Sequence, residues 1–275
     1  MALYIQSNTA SMVAQDHLSS TSNALNQTFA RLSSGYRINS AADDAAGLGI
    51  SKSMDADVQS YSTAENNAND GISMAQTADG AADQISDMLT RLRQLAVESS
   101  NGDMSANDRT NLDTEFQSVV KEVDRISNVT TFNGTQLLSG ASTAVSFQVG
   151  IGTSANDQVS VNFGGVTAAS LGLTGNDVTS FANAQTSITA IDGAIQSLST
   201  IREGFGSAMN RLQDSVSNLQ SMSTNTSAAL SRIQDVDVAS ETANLSKEQV
   251  LSQAGAAVLA QANQAPQLAL KLLQG

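Results

Sequence analysis

The sequence predicts a mainly α fold: a long antiparallel helical bundle or coiled coil formed by its N- and C-terminal halves, with a small β-hairpin region in the middle. Three observations carry this. Apolar residues in both flanks recur at alternating steps of three and four, which marks one face of a helix. Aromatics make up only 4% of the 275 residues, and Trp is absent. Large rings dominate thick globular cores, so burial here falls to Leu, Ile, Val, Met and Ala, which suits thin helical packing. The middle differs in kind: residues 126–201 contain no Lys or Arg, are rich in Gly, and hold four of the seven Phe.

The first helical pattern carries Leu18, Leu25, Phe29, Leu32 and Tyr36, and Gly35 is a helix stop. A second pattern runs from about Asp43 to Ser99. At 1.5 Å per residue such a helix is about 80 Å long. Asp43 and Asp44 suit its N-terminus, with Ser40 as the cap. Gly71 and Gly80 cost it about 1 kcal/mol each against Ala, so packed partners are required. Asn101-Gly102-Asp103 is a turn, and Ser105 with Asp108 forms the start of a third helix carrying Leu112, Phe116, Val119, Val123 and Ile126.

From Asn128 the apolar period changes to two. Val145, Phe147 and Val149 alternate with polar residues, as do Val159, Val161 and Phe163, which predicts short strands. Helical spacing returns near Ala184, runs through Ile191, Leu198, Phe205 and Leu212, and extends to about Ile233. After an interruption at 235–240, a last segment carries Leu251, Ala254, Val258, Ala265, Leu268 and Leu272, with a kink expected at Pro266. The expected organisation is a terminal coiled-coil domain, 1–44 with 231–275, and a rod-like helical domain, 45–230, including a β portion at about 128–182. The expected self-assembly seams are Leu18, Leu25, Phe29 and Leu32 at one end and Leu251, Val258, Leu268 and Leu272 at the other.

Composition removes many functions. Without Cys there are no disulfides, thiol nucleophiles or cysteine metal sites, and one His cannot build a multi-histidine centre. A net charge of −13 argues against nucleic acid and anionic membranes. No apolar run is long enough to span a bilayer, and the N-terminus does not read as a secretory signal. No nucleophile elbow or phosphate loop occurs, His17 has no partner motif, and Asp43-Asp44 is accounted for as a helix start. The chain is therefore expected to be no enzyme and to need no cofactor. What remains is a self-assembling helical subunit, or a secreted helical adhesin or export-tip protein.

Longer motifs are more specific. Residues 31–47, RLSSGYRINSAADDAAG, resemble the N-terminal signature of bacterial flagellins. Residues 67–81, NANDGISMAQTADGA, resemble a second signature, and FNGTQLL at 132–138 a third. The segment 250–273, with QANQAPQLALKLL, is similar to the family's C-terminal arm. The resemblance covers about residues 1–140 and 185–275. It implies a filament subunit for swimming motility, with the arms paired in the filament core and the β portion as the only insert, so no outer variable domain. It also implies type III export without a cleaved signal, an extracellular location, and arms that order on assembly. The implied partners are other copies of the chain, the flagellar export chaperone, the hook–filament junction and cap proteins, and the host flagellin-sensing Toll-like receptor. The residues matching the family's receptor contact are Arg91, Leu95 and Glu115. The alternative within this resemblance is the hook–filament junction protein.

Overall fold

The computed structural model describes the backbone of residues 7–140 and 143–274, and the side chains of residues 7–140 and 144–264. Among these, five α-helices and two small antiparallel hairpins follow one another: α1 (Thr9–Ser34), α2 (Ala45–Ser99), α3 (Ala106–Val129), β1 (Thr131–Phe132), β2 (Thr135–Gln136), β3 (Thr143–Gln148), β4 (Gln158–Phe163), α4 (Phe181–Gln234) and α5 (Val238–Gln274), with one 3-10 turn, Ala155–Asp157, between β3 and β4. The fold is the mainly α class with a small β region that the periodicity predicts.

Local chemistry sets most boundaries. Asn8 caps α1 by accepting from the Ser11 N–H, and Gly35 ends it in the left-handed region at φ 77°, where glycine carries no side-chain penalty. The cap of α2 differs from expectation. Asp44, not Ser40, accepts from the Gly47 N–H, while the Ser40 hydroxyl and amide both donate to Asp43. A hydroxyl five residues before the first helical residue cannot reach the first free amides; the carboxylate beside them can. At α3 the expected capping box is present, with the Ser105 side chain and Asp108 each accepting from the other's backbone. Asn133 and Gly134 take φ 48° and 80° in the two-residue turn joining β1 to β2, the conformation that favours Asn-Gly in tight hairpins.

The chain forms two compact units, 1–56 with 225–275 and 57–224. The core of the second unit is one continuous apolar cluster. Its helical part comprises Ile85, Leu89, Leu92 and Leu95 of α2, Phe116 and Val123 of α3, and Ile191, Leu198, Phe205 and Leu212 of α4. The β3–β4 hairpin lays Val159, Val161 and Phe163 on this cluster and turns Gln158, Ser160 and Asn162 to solvent. Residues 164–180 have no regular structure, yet Val166, Leu171, Leu173 and Val178 are buried. Gly71 has a role that propensity does not reveal. A Cβ there would lie 3.0 Å from both the Phe147 ring and the Leu212 side chain, so its absence lets β3 and α4 approach the α2 backbone.

Candidate self-association surface

In the first unit, α1 packs along α5. The pairing is antiparallel: Ser11 donates to Asn263 at 2.7 Å, Leu18 lies 3.4 Å from the Cβ position of Gly255, and Arg31 lies 3.7 Å from Glu241. Small residues allow this close approach. Gly255 of α5 lies against Leu18, and the buried or partly buried positions along the pair are Ala14, Leu18, Thr21, Leu25, Thr28 and Leu32 of α1 and Leu245, Ser252, Gly255, Leu259 and Ala262 of α5. Thus three of the α1 seam leucines are placed between the helices, whereas Phe29 sits on the flank, 48% exposed.

The face of α5 that α1 covers is in a different phase from the expected self-assembly residues Leu251 and Val258. The residues turned towards α1 are Leu245, Ser252, Gly255 and Leu259. Leu251 and Val258 are 47% and 59% exposed, on a second face that also includes Ala254, with Val250 beside it. Leu268 and Leu272 lie outside the described side chains. The physical reason is that α5 is apolar in two phases one residue, or about 100°, apart. Periodicity finds an apolar helix; the partner decides which phase is used. On α1, Met12 and Val13 are likewise exposed. A helix apolar on two faces calls for two partners, and α1 supplies one of them.

Charge is divided unequally. The first unit carries six basic and eight acidic residues, the second seven and eighteen. The unit with the exposed apolar stripes is therefore almost neutral, and the second holds nearly all of the negative charge.

The segment after α1 is held in place by hydrogen bonds. The Arg37 N–H donates to the Gln234 carbonyl at 2.6 Å, the Val236 N–H to the Gly35 carbonyl at 3.0 Å, and the Arg37 guanidinium to the Ile233 carbonyl at 2.7 Å. Asp43 accepts from the Gln27 side chain, the Ser40 hydroxyl and the Ser40 and Asn39 amides. These donors, Gln27 foremost, hold its carboxyl down at about 2. A folded pKa below the unfolded value means that the contribution is complete above the unfolded pKa of 3.8 and disappears as the pH falls through about 2. Amide exchange at Asn39 and Ser40, corrected for the intrinsic rate, is expected to accelerate across that window. Undiminished protection at the acid end would remove Asp43 from this role.

The second unit places Arg91, Leu95 and Glu115, the residues expected to form a receptor contact, unequally. Arg91 is exposed on α2 and donates to Glu115 on α3 through Nε at 2.9 Å and Nη2 at 2.5 Å. Leu95 has no exposed surface and belongs to the core. One turn of α2 carries Arg91 outward and Leu95 inward because a residue four positions on is rotated by about 40°, and this is enough to cross the rim of the core. On the other side of α2, Arg93 pairs with Asp192 of α4 at 2.7 Å. His17 is exposed. Among the described residues no group of three or more His, Asp or Glu could hold a metal ion, and no helix is long and apolar enough to cross a membrane.

Comparison with known proteins agrees with this architecture. The bacterial flagellin N-terminal helical region matches residues 5–143, and the bacterial flagellin C-terminal helical region matches residues 188–273. A flagellin of Halalkalibacterium halodurans is 40% identical over 272 residues, spanning 99% of this chain and 100% of that one. A flagellin of Listeria monocytogenes is 36% identical over 283 residues, spanning 98% and 99%. The crystal structure of Bacillus cereus flagellin superposes with a TM-score of 0.51 at 32% identity, covering 60% of this chain and 94% of that one. Paired terminal arms, a helical core with one small hairpin region, and similarity along nearly the whole length lead to one assignment: the chain belongs to the bacterial flagellin family.

Proposed function

We infer that this flagellin is a structural subunit that polymerises into the extracellular bacterial flagellar filament used for swimming. The observation that carries the reading is the second apolar face of α5, Leu251, Ala254 and Val258, beside a first face already covered by α1. Burying such a face releases about 25 cal/mol per Å² of apolar surface, and the near-neutral first unit brings copies together with little repulsion. The same patch cannot be its own partner in a growing fibre, so contacts are head-to-tail and repeat helically without closing. The first unit is then the filament core, and among the described residues the β portion is the insert between the helical halves. The work is mechanical, so no catalytic role is assigned.

Before assembly the exposed stripes are a liability, which suits capture by an export chaperone. The hook–filament junction protein below and the cap protein at the tip are the remaining flagellar partners. The test is electron microscopy of the purified chain incubated with short filament seeds at raised salt, which screens the charge of the second unit. Long helical filaments are expected. Persistent monomers or short stubs would favour a junction protein instead.

A second reading concerns the host flagellin-sensing Toll-like receptor. Arg91 and Glu115 offer a paired, exposed polar contact on α2 and α3, and Leu95 supports it from beneath by fixing the helix. Replacing Arg91 with Ala is expected to reduce receptor signalling by about tenfold, the size of one lost charge-assisted contact. Signalling equal to the parent chain would sink the assignment.

A further inference from the structure

The facing sides of α1 and α5 nearly repeat every seven residues. Leu18, Leu25 and Leu32 recur at that interval on α1; on α5, positions 241 and 248 are both Glu, and Leu245 and Leu259 occupy equivalent places two heptads apart. Sliding one helix along the other by a heptad, about 10 Å, returns leucines to the same side of the seam. Apolar contact is non-directional and separates two such registers weakly.

The lengths of the helices permit the slide. α1 has 26 residues and α5 has 37. In the observed register the start of α1 meets Ala262 and Asn263, through Asn8 and Ser11, and α5 continues to Gln274. A shift of α5 by one heptad towards the end of α1 therefore keeps α1 covered throughout.

Charge supplies the second reason. Arg31 is the only Lys or Arg of α1. Its Nη1 lies 3.7 Å from Glu241 and its Nη2 4.0 Å from Asp43. Glu248, one heptad further on, turns the same way; its Oε2, like Glu241 Oε1 and Arg31 Nε, is buried with no hydrogen-bond partner, so the observed register leaves both ends of the Arg31–Glu241 contact incompletely satisfied. A buried carboxylate oxygen without a partner is costly. The shifted register would bring Arg31 to it and release Glu241 beyond the end of the seam.

We propose that the α1–α5 seam contains a second register, one heptad away, in which Arg31 exchanges Glu241 for Glu248. The Arg31–Glu241 contact and the neighbouring Gly35–Val236 backbone bond latch the observed one. The device concerns the first unit alone and stands whether or not copies polymerise.

The absence of Cys allows the register to be read by engineered disulfides in the full chain. Leu18→Cys with Gly255→Cys reports the observed register, because the Leu18 Cβ lies 4.0 Å from the Cβ position at 255, within disulfide reach. Leu25→Cys with Gly255→Cys reports the shifted register, since these positions are otherwise about 10 Å apart along the seam. Oxidation is followed by the mobility of the denatured monomer, so only cross-links within one chain count.

In the parent background only the first pair is expected to close. Adding Glu241→Leu is expected to raise closure of the second pair by about tenfold, and adding Glu248→Leu as well is expected to suppress it again. Three results would overturn the proposal. The first is closure of only the first pair after Glu241→Leu. The second is closure of the second pair irrespective of Glu248. The third is loss of both cross-links after Glu241→Leu, which would make the contact a fastening with no alternative register.

Discussion

Replacing both Leu251 and Val258 with Asp is expected to abolish filament elongation while leaving the soluble chain folded. Both side chains are about half exposed and face away from α1, so the substitutions do not touch the α1–α5 seam. Burying the exposed half of a Leu or Val contributes about 1 kcal/mol, and two unpaired carboxylates in the same interface cost at least as much again. The total, about 4 kcal/mol per subunit, corresponds to about a thousandfold rise in the concentration needed for growth. Sedimentation of seeded reactions measures this directly, with far-ultraviolet circular dichroism as the control for folding. Filaments growing at the parent concentration would show that the second face of α5 is not a subunit contact. Substituting Leu18 would not make this distinction, because it would also open the contact with Gly255 inside the chain.

Phe205→Ala should produce the largest loss of stability in the second unit. The ring is fully buried, and its centroid lies 5.7 Å from that of Phe163, inclined by 38°. It is thus the place where α4 grips the hairpin strand β4. Truncating a buried Phe costs about 3–5 kcal/mol, including about 1 kcal/mol for the aromatic pair. For a unit of this size the melting temperature should fall by about 10 °C. Calorimetry of the full chain, with the transition of this unit followed separately, checks the magnitude. A shift below about 2 °C would mean that the hairpin does not depend on this contact. The ion pairs Arg91–Glu115 and Arg93–Asp192 are nearly half exposed on both sides, and pairs of this kind contribute about 1 kcal/mol or less. Their removal provides the small-effect comparison.

Much of the helical framework is legible in the sequence. The capping box at Ser105, the change of period after Asn128 and the alternation of Val159, Val161 and Phe163 are local signals, written by residues within a few positions of one another. Other features are not. The burial of Val166, Leu171, Leu173 and Val178 in a segment without regular structure has no period to betray it. Gly71 looked like a cost because its benefit, the approach of Phe147 and Leu212, comes from residues far away in sequence. Ser40 was a reasonable cap by type, yet Asp44 was nearer to the free amides.

The candidate surfaces divide along the same line. Sequence alone determined that two apolar, Cys-free helical arms flank, in chain order, a helical segment with one small β region, because composition and spacing suffice for secondary structure and class. Only the tertiary structure decided that Ser252, Gly255 and Leu259 face α1 while Leu251 and Val258 stay exposed, and that Arg91 meets Glu115 at the surface while Leu95 is buried. The reason is physical. Periodicity belongs to a single helix and identifies every phase that could be buried, whereas burial belongs to a pair of surfaces and is settled by which small residues let two backbones come close.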